Sequence, residues 1–418
     1  MKKILIAPYG CDLRFLDAKK ISEYFKRNNY KFVDKADNAD LIIVFTCAAL
    51  SSQANHSLNK IKELQQYDAE LIIAGCLPVI EKEELSKIFN GKILNTKNLE
   101  EIDSLFPEHN YKFSYIDDQN FLFEKNQSEF SKIRNEAFSK LGFLNNIFFK
   151  LQQHIFKYLL GKDSSVFYLL NIFFGGRPYF LSIARGCHGN CSYCAIKKAV
   201  GPYKSKSLEK CVKEFEKGLK NNEKHIILVA DDVGPYGLDV DSTLPDLLDK
   251  ITNISGDYEL LIRGLNPSWL VKYSDSLNKI VKRKKIKGMA IPIQSGSNRV
   301  LKLMQRYSDT SKMKQAFLDL KKSFKDLKLS TSFIIGFPTE TMDDFNQTLS
   351  FVKEVDVDLG FIYKFSCRKG TEAEKINPKI SDKEIDRRLK YAKKFLKRYG
   401  YKVIYLRNMH FYVFFKRN

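Results

Sequence analysis

The sequence predicts an α/β protein, with a doubly wound parallel sheet over residues 1–101 and a series of strand–helix repeats over residues 179–380. Three observations carry this expectation. Short runs that are apolar throughout alternate with segments whose apolar residues recur every three or four positions, the pattern of strands buried on both faces and of the helices that cover them. Polar turns and cysteines follow those runs instead of interrupting them, and in parallel folds ligands gather at the carboxyl ends of strands. Finally, three cysteines crowd into one short stretch, Arg185-Gly186-Cys187-His188-Gly189-Asn190-Cys191-Ser192-Tyr193-Cys194.

Along the chain, Lys3–Pro8 reads as the first strand, Leu41–Phe45 as a second, Leu71–Ala74 as a third and Gly91–Leu94 as a fourth. Leu16–Phe25 and Ser57–Leu64 carry the helix period between them. The opening Met1-Lys2-Lys3-Ile4-Leu5-Ile6-Ala7 is basic then apolar, but its apolar run is too short for a secretory leader and suits a strand. Cys11, Cys47 and Cys76 follow the first three strands in turn. Any one of them could be a small buried hydrophobe. That all three sit at carboxyl ends brings them to one rim of the sheet, as three ligands of an iron–sulfur cluster.

From residue 102 to 178 the pattern loosens. Asp117-Asp118-Gln119-Asn120 and Glu124-Lys125-Asn126-Gln127 suit loop or surface, whereas Leu144–Leu160 and Val166–Phe174 are apolar and aromatic. Lys150, His154, Lys157, Lys162 and Asp163 interrupt these runs, so neither suits a membrane span. The segment reads as a helical connector packed between domains, or as a lid or docking surface for substrate, at a membrane face in one version.

The spacing C-x3-C-x2-C of Cys187, Cys191 and Cys194 is not a zinc knuckle pattern, which pairs its ligands. Three thiolates on a tight loop can hold three irons of a cubane [4Fe–4S] cluster, which normally takes four cysteines, leaving the fourth iron open to a small molecule. Strands at Phe180–Ile183, His225–Val229, Glu259–Arg263, Met289–Ile293, Thr331–Ile335 and Gly360–Phe365 then make about six repeats, several ending in a polar turn. A helix from Leu208 to Leu219 places Cys211 on its apolar face, in the core. Residues 381–418 form a basic amphipathic helix, Asp382–Tyr399, and a tail with strand character in Val403–Leu406 and Phe411–Phe415. Twelve basic residues there face three acidic ones.

At 418 residues, two or three domains are expected. Eight cysteines without a recognisable leader point to a reducing cytoplasm. A formal charge of +21 suits a nucleic acid or other anionic partner, although abundant Lys, Asn, Ile, Phe and Tyr also reflect AT-rich coding and discount that signal.

The cysteine loop, with Tyr193 ahead of its last cysteine, resembles the radical S-adenosylmethionine (SAM) superfamily. Together with Tyr9-Gly10-Cys11, Phe45-Thr46-Cys47-Ala48, Ala74-Gly75-Cys76, Gln294-Ser295-Gly296-Ser297, Leu301–Arg306, Gly336–Thr341 and Arg368-Lys369-Gly370-Thr371, it resembles the methylthiotransferase branch. Asp232 with Tyr236-Gly237-Leu238-Asp239 is most similar to the archaeal and eukaryotic subgroup acting on threonylcarbamoyladenosine in tRNA. The resemblance implies a partial (β/α)6 radical SAM barrel and two [4Fe–4S] clusters. One, on Cys187, Cys191 and Cys194, cleaves SAM to a 5′-deoxyadenosyl radical. The other, on Cys11, Cys47 and Cys76, carries the sulfur that a second SAM methylates, so that an unactivated C–H becomes C–SCH3. It further implies SAM contacts at Tyr193, Asp231, Asp232, Gln294, Ser295, Arg306, Ile335, Gly336 and Phe337. Asp231 and Asp232 would meet the ammonium, Gln294, Ser295 and Arg306 the methionyl or ribose part, and Ile335, Gly336 and Phe337 the adenine. An electron donor such as flavodoxin or ferredoxin is implied as a partner.

Three positions depart from the family pattern: Arg14 replaces an Asn, Ala290 a His and Ser332 an Asp. The sequence after the last helix is also too short for the RNA-binding TRAM barrel of tRNA-modifying members. A peptide or protein acceptor is therefore expected, with a tRNA adenosine near the anticodon as the alternative, and an iron–sulfur binding or regulatory protein without thiolation activity as the third reading.

Overall fold

The structure, a computed structural model, describes residues 1–122, 178–406 and 411–416. Among these, residues 1–122 and 194–202 form one compact unit, and 178–193 with the rest of the chain from 203 form a second.

In the first unit, strands β1 (Lys3–Ala7), β2 (Lys31–Phe32), β3 (Leu41–Thr46), β4 (Glu70–Gly75) and β5 (Lys92–Asn95) build one parallel sheet in the order β2-β1-β3-β4-β5. Side chains alternate between two cores, as the two-residue strand period requires. Ile4, Ile6, Leu41, Ile43, Phe45, Ile72 and Ala74 meet Ile21, Tyr24 and Phe25 of the helix Asp12–Arg27. Leu5, Ile42, Val44 and Ile73 meet Ala54, Ile61 and Leu64 of the helix Ser51–Leu64. Each aliphatic side chain buried this fully contributes about 1.5–3 kcal/mol, so the runs that were apolar throughout are strands covered on both faces. The chain steps outward from β1 to β2 and then back to β3 on the other side. That reversal makes the carboxyl ends of β1 and β3 a topological switch point, the place where such sheets bind ligands.

The first unit runs past the boundary expected at residue 101. Ile102, Phe106, Phe113 and Ile116 complete one of its cores, and Lys20 holds Asp118 at 2.8 Å. The apolar runs Leu144–Leu160 and Val166–Phe174, and with them the connector and lid readings, lie outside the described residues. The short helix Ile196–Val200 also belongs here and not to the barrel: Ala195 and Ala199 pack in the second core with Leu77 and Ile80, and Thr96 Oγ1 donates to the Ala199 carbonyl at 2.6 Å. Sequence periodicity carries no signal for this, because five residues are too few to show a face.

The second unit begins with β6 (Tyr179–Ser182), followed by β7 (Ala184–Arg185) and β8 (Lys204–Ser205), which pair with each other. Then come β9 (His225–Val229), β10 (Glu259–Arg263), β11 (Ile286–Ala290), β12 (Lys328–Ile335) and β13 (Leu359–Lys364). β6 and β9 to β13 lie parallel in that spatial order, six strands of a partial barrel sheet. Side-chain caps start the intervening helices: Ser207, Thr243, Ser297, Asp309, Thr341 and Ser381 each accept a backbone N–H from the first turn. β11 starts and ends three residues earlier than the apolar run suggested, because Ile291 and Ile293 are buried outside the strand ladder. Cys211 is wholly buried, as expected.

The residues after 381 are not a free tail. β14 (Tyr401–Leu406) and β15 (Phe411–Lys416) form a hairpin, and β15 adds antiparallel to β13 with Gly360 opposite Phe414. The helix Asp382–Arg398 buries Ile385, Leu389, Ala392 and Leu396. Among the described residues, no helix is long and apolar enough to cross a membrane.

Candidate functional site

In the second unit the cysteine loop leaves β7 through Gly186, whose φ of +81° lies in the left-handed region that favours glycine. The Gly186 amide donates to Asp231 Oδ2 at 3.0 Å, so the carboxylate at the end of β9 anchors the loop just before Cys187. A Cβ on Gly189 would lie 3.4 Å from Cys187 Sγ and 3.9 Å from Cys191 Sγ, so the two sulfurs flank that residue. The Gly189 amide donates to Cys187 Sγ at 3.3 Å. Ser192 ties the loop down from three sides. Its amide donates to the Met304 carbonyl at 3.0 Å, its hydroxyl to the Leu303 carbonyl at 2.7 Å, and its carbonyl accepts from Ala373 N at 2.8 Å. Cys194 opens the segment that belongs to the first unit.

The residues expected to meet SAM divide. Asp232 is buried, and its Oδ1 accepts the amides of Gly234 at 3.0 Å and Asn266 at 3.4 Å. Burial holds its carboxyl above the usual carboxylate range, although the Gly234 and Asn266 amides pull the other way. Gln294 sits at a φ of +73°, bridged to Phe333, with its amide on the Ser332 carbonyl at 2.8 Å. Its side-chain Oε1 is buried without a hydrogen-bond partner, an acceptor that a SAM ammonium or ribose hydroxyl would satisfy. Arg306 reaches the loop itself: Nη1 contacts Cys191 Sγ at 3.2 Å, and Nη2 donates to the Pro292 carbonyl at 2.6 Å. Burial opposes its charge, but Tyr193 and Cys191 beside it outweigh that and raise its pKa further.

Ser295, Ile335, Gly336 and Phe337 are all buried. Ser295 is wholly buried and its Oγ accepts the Ser297 amide at 3.2 Å inside its own turn. Ile335 and Phe337 are buried as well, with Phe337 edge-on to Phe365, and the Gly336 amide is bound by Glu340 Oε2 at 2.8 Å. Between β10 and β13 lies a cavity of about 180 Å³ lined by Arg263, Pro292, Ser332 and Tyr363 among others. Ala290 and Ser332, two of the departures from the family pattern, line this same space.

In the first unit the other three cysteines stand where expected, after β1, β3 and β4. Cys11 is exposed and begins the helix Asp12–Arg27, while Cys47 and Cys76 are buried. A Cβ on Gly10 would lie 3.7 Å from Cys47 Cβ, and the Cys76 amide donates to the Thr46 carbonyl at 3.0 Å. Ser57 and Gln53, on the helix after β3, hold Cys47. The Ser57 hydroxyl accepts the Cys47 amide at 3.1 Å, and Gln53 Oε1 accepts from the thiol at 3.3 Å. Burial and the neighbouring Cys47 push the Tyr9 phenol up to about 12. Arg14 is buried against Asp17 at 3.2 Å and packs against Gly10. Among the described residues, no three His, Cys, Asp or Glu side chains close on a single metal ion. A cubane makes a different demand, since each thiolate takes its own iron. None of the six cysteines is in a disulfide, and N–H groups already point at two sulfurs of the barrel loop.

Sequence reasoning missed Ser192, Asp231 as an anchor, and the Gln53–Ser57 clasp. Asp231 alone carried a signal, as a carboxylate in the polar turn that follows β9; the other three are ordinary polar residues with no periodic or spacing cue.

A parallel sheet and a partial barrel that each present cysteines at their strand ends define an iron–sulfur enzyme of the radical SAM class. Residues 181–352 match the radical SAM superfamily, and residues 3–94 match the uncharacterized protein family UPF0004. A probable threonylcarbamoyladenosine tRNA methylthiotransferase of Methanocaldococcus jannaschii is 27% identical over 93% of this chain and 80% of its own length. The ribosomal protein uS12 methylthiotransferase RimO of Acetivibrio thermocellus is 29% identical over 91% and 78%. The radical SAM methyltransferase TsrM of Kitasatospora setae shares the fold, with a TM-score of 0.59 at 11% identity, covering 89% of this chain and 76% of that one. The chain therefore carries a radical SAM domain and a UPF0004 domain, and the first two of these relatives, matched along most of their length, are methylthiotransferases of one branch. The chain is an enzyme of methylthiolation, and the cofactors of this branch are SAM and two [4Fe–4S] clusters.

Proposed function

We propose that this enzyme methylthiolates a tRNA adenosine. The observation that carries this reading is the match to the Methanocaldococcus jannaschii relative along 93% of the chain, including both cysteine domains. The formal charge of +21 supports it, since a strongly cationic surface concentrates polyanions and speeds their encounter. A protein acceptor is the second reading, favoured by the RimO relative, whose name gives a ribosomal protein as its target. The peptide acceptor expected from the sequence has no such relative among those named above.

When bound, the Cys187/Cys191/Cys194 cluster and SAM supply a radical able to remove an unactivated hydrogen, and the Cys11/Cys47/Cys76 cluster supplies the sulfur. The remaining tasks fall to the chain's own side chains. Asp231 and Ser192 fix the loop that presents two of the thiolates. Gln294 Oε1 offers an acceptor to a SAM donor group. The β10–β13 cavity, with Arg263, Ser332 and Tyr363 in its lining, offers space for part of the acceptor. A small low-potential protein such as flavodoxin or ferredoxin would provide the electron.

Anaerobic turnover with total tRNA and, separately, with ribosomal protein uS12, read by mass spectrometry for replacement of H by SCH3, tests the reading. Methylthiolated adenosine in digested tRNA is the expected product. Modification of the protein with untouched tRNA would replace this reading by the second.

A further inference from the structure

We propose that Arg306 is a positioning residue of the barrel cluster, setting its reduction potential through a hydrogen bond to the sulfur of Cys191 instead of binding SAM. This rests on the reading that Cys187, Cys191 and Cys194 hold a [4Fe–4S] cluster.

Both ends of the guanidinium fork are already engaged, Nη1 on Cys191 Sγ at 3.2 Å and Nη2 on the Pro292 carbonyl at 2.6 Å. The whole Leu303–Arg306 segment behaves as a clasp on the loop. Leu303 and Met304 carbonyls accept the hydroxyl and amide of Ser192, and Gln305 Oε1 accepts from Asn190 Nδ2 at 3.3 Å. Gln305 takes a φ of +54° to end the preceding helix, which turns Arg306 back toward the cysteines. The Arg306 amide closes that turn on the Leu301 carbonyl at 2.9 Å. Pro292 follows β11, so Arg306 braces the cysteine loop against the strand that leads to Gln294.

The electrostatic consequence has a definite sign. Adding one electron to the cluster adds one negative charge, shared with the thiolate sulfurs. A cationic N–H donor on one of those sulfurs stabilises the reduced form more than the oxidised form, and hydrogen bonds to sulfur are among the determinants of such potentials. Arginine keeps its proton in proteins, so the donor is permanent. A charge-assisted hydrogen bond is also the stronger kind, which makes its loss measurable.

The test uses the full chain carrying C11A, C47A and C76A, so that only the barrel cluster remains, with R306Q and R306K added in turn. The midpoint is read by EPR during anaerobic dithionite titration, alongside iron content and SAM affinity. R306Q should shift the midpoint to more negative potential, giving about tenfold less reduced cluster relative to oxidised at the parent's midpoint, with iron and SAM affinity retained. R306K, which keeps a cationic donor, should fall between. Full iron with an unmoved midpoint overturns the proposal, and so does an unmoved midpoint with SAM affinity lost, which would make Arg306 a SAM ligand. Should R306Q fail to load iron, the unsubstituted side chain decides: ENDOR of the reduced parent carrying arginine 15N-labelled in its guanidinium should find a nitrogen coupled to the cluster, distinct from the Gly189 amide on Cys187, and its absence refutes the hydrogen bond. A parent that binds no iron removes the ligand assignment and this inference together.

Discussion

Asp231 and Gly186 are joined by a 3.0 Å hydrogen bond, from the amide that opens the cysteine loop to the carboxylate that closes β9. The contact spans 45 residues of sequence and fixes where the loop begins relative to the barrel sheet. Gly186 can meet it because its φ of +81° costs glycine little. D231A should therefore speed iron loss from the barrel cluster to a chelator by about tenfold, the equivalent of one charge-assisted hydrogen bond. D231N, which retains an acceptor, should lie near the parent. Equal rates for D231A and the parent, measured with the other cluster removed, would show that the loop does not depend on this bond.

Gly75 offers a way to separate the two clusters. Its φ is +99°, and a Cβ there would fall 2.2 Å from the Thr46 carbonyl oxygen. G75A should cost the first unit at least about 2 kcal/mol in strain and displacement, and it should move Cys76, its neighbour. We expect iron to fall from about eight to about four per chain, with reductive cleavage of SAM persisting and sulfur transfer lost. Retention of both clusters in G75A would mean that Cys76 is not placed by this turn.

Glu340 and Arg388 form a buried ion pair at 2.7 Å that fastens the helix Asp382–Arg398 to the turn after β12. Burial pushes the Glu340 carboxyl up to about 7, against the opposing pull of the Gly336 amide and Arg388. A carboxyl raised in the folded state favours folding while it is protonated. Its contribution is therefore complete below the ordinary value of 4.5 and is lost as pH rises through about 7. Relative to E340Q, which does not titrate, the parent should lose up to about 3 kcal/mol of stability between those limits. Chemical unfolding at pH 5 and pH 8 measures it, and parallel pH profiles for the two proteins would refute the shift.

For the acceptor, binding of tRNA should weaken steeply with salt, by about 0.9 in log K per log salt for each phosphate contact in duplex regions. Charge reversal at Lys390, Lys393 and Lys394 on the C-terminal helix should lower that slope if the helix touches the phosphate backbone. A slope identical to that of the parent would move the contact elsewhere on the chain.

The period of the apolar residues made both parallel sheets legible, because a strand covered on two faces must be apolar throughout and its covering helix must not. Cys11, Cys47 and Cys76 were legible for the same reason: knowing the strand fixes its carboxyl end. The orientation of Ser295 and Phe337 was not. Ser295 and Phe337 sit in motifs that end barrel strands, yet a turn can aim a side chain inward or outward with no change in sequence spacing. Here Ser295 caps its own turn and Phe337 packs on Phe365.

The sequence by itself determined the six cysteines in two sets, the strand-and-helix alternation that carries them and the resemblance those motifs bear. These are properties of covalent spacing and of periodicities of two and 3.6 residues. Only the tertiary structure decided that Asp231 anchors a loop and that Arg306 reaches Cys191. It also decided that Ile196–Val200 leaves the barrel to pack with Leu77 and Ile80, and that the last two strands extend the β13 edge. Each joins residues far apart in the chain through one or two contacts, and a single long-range contact leaves no period behind for a sequence to display.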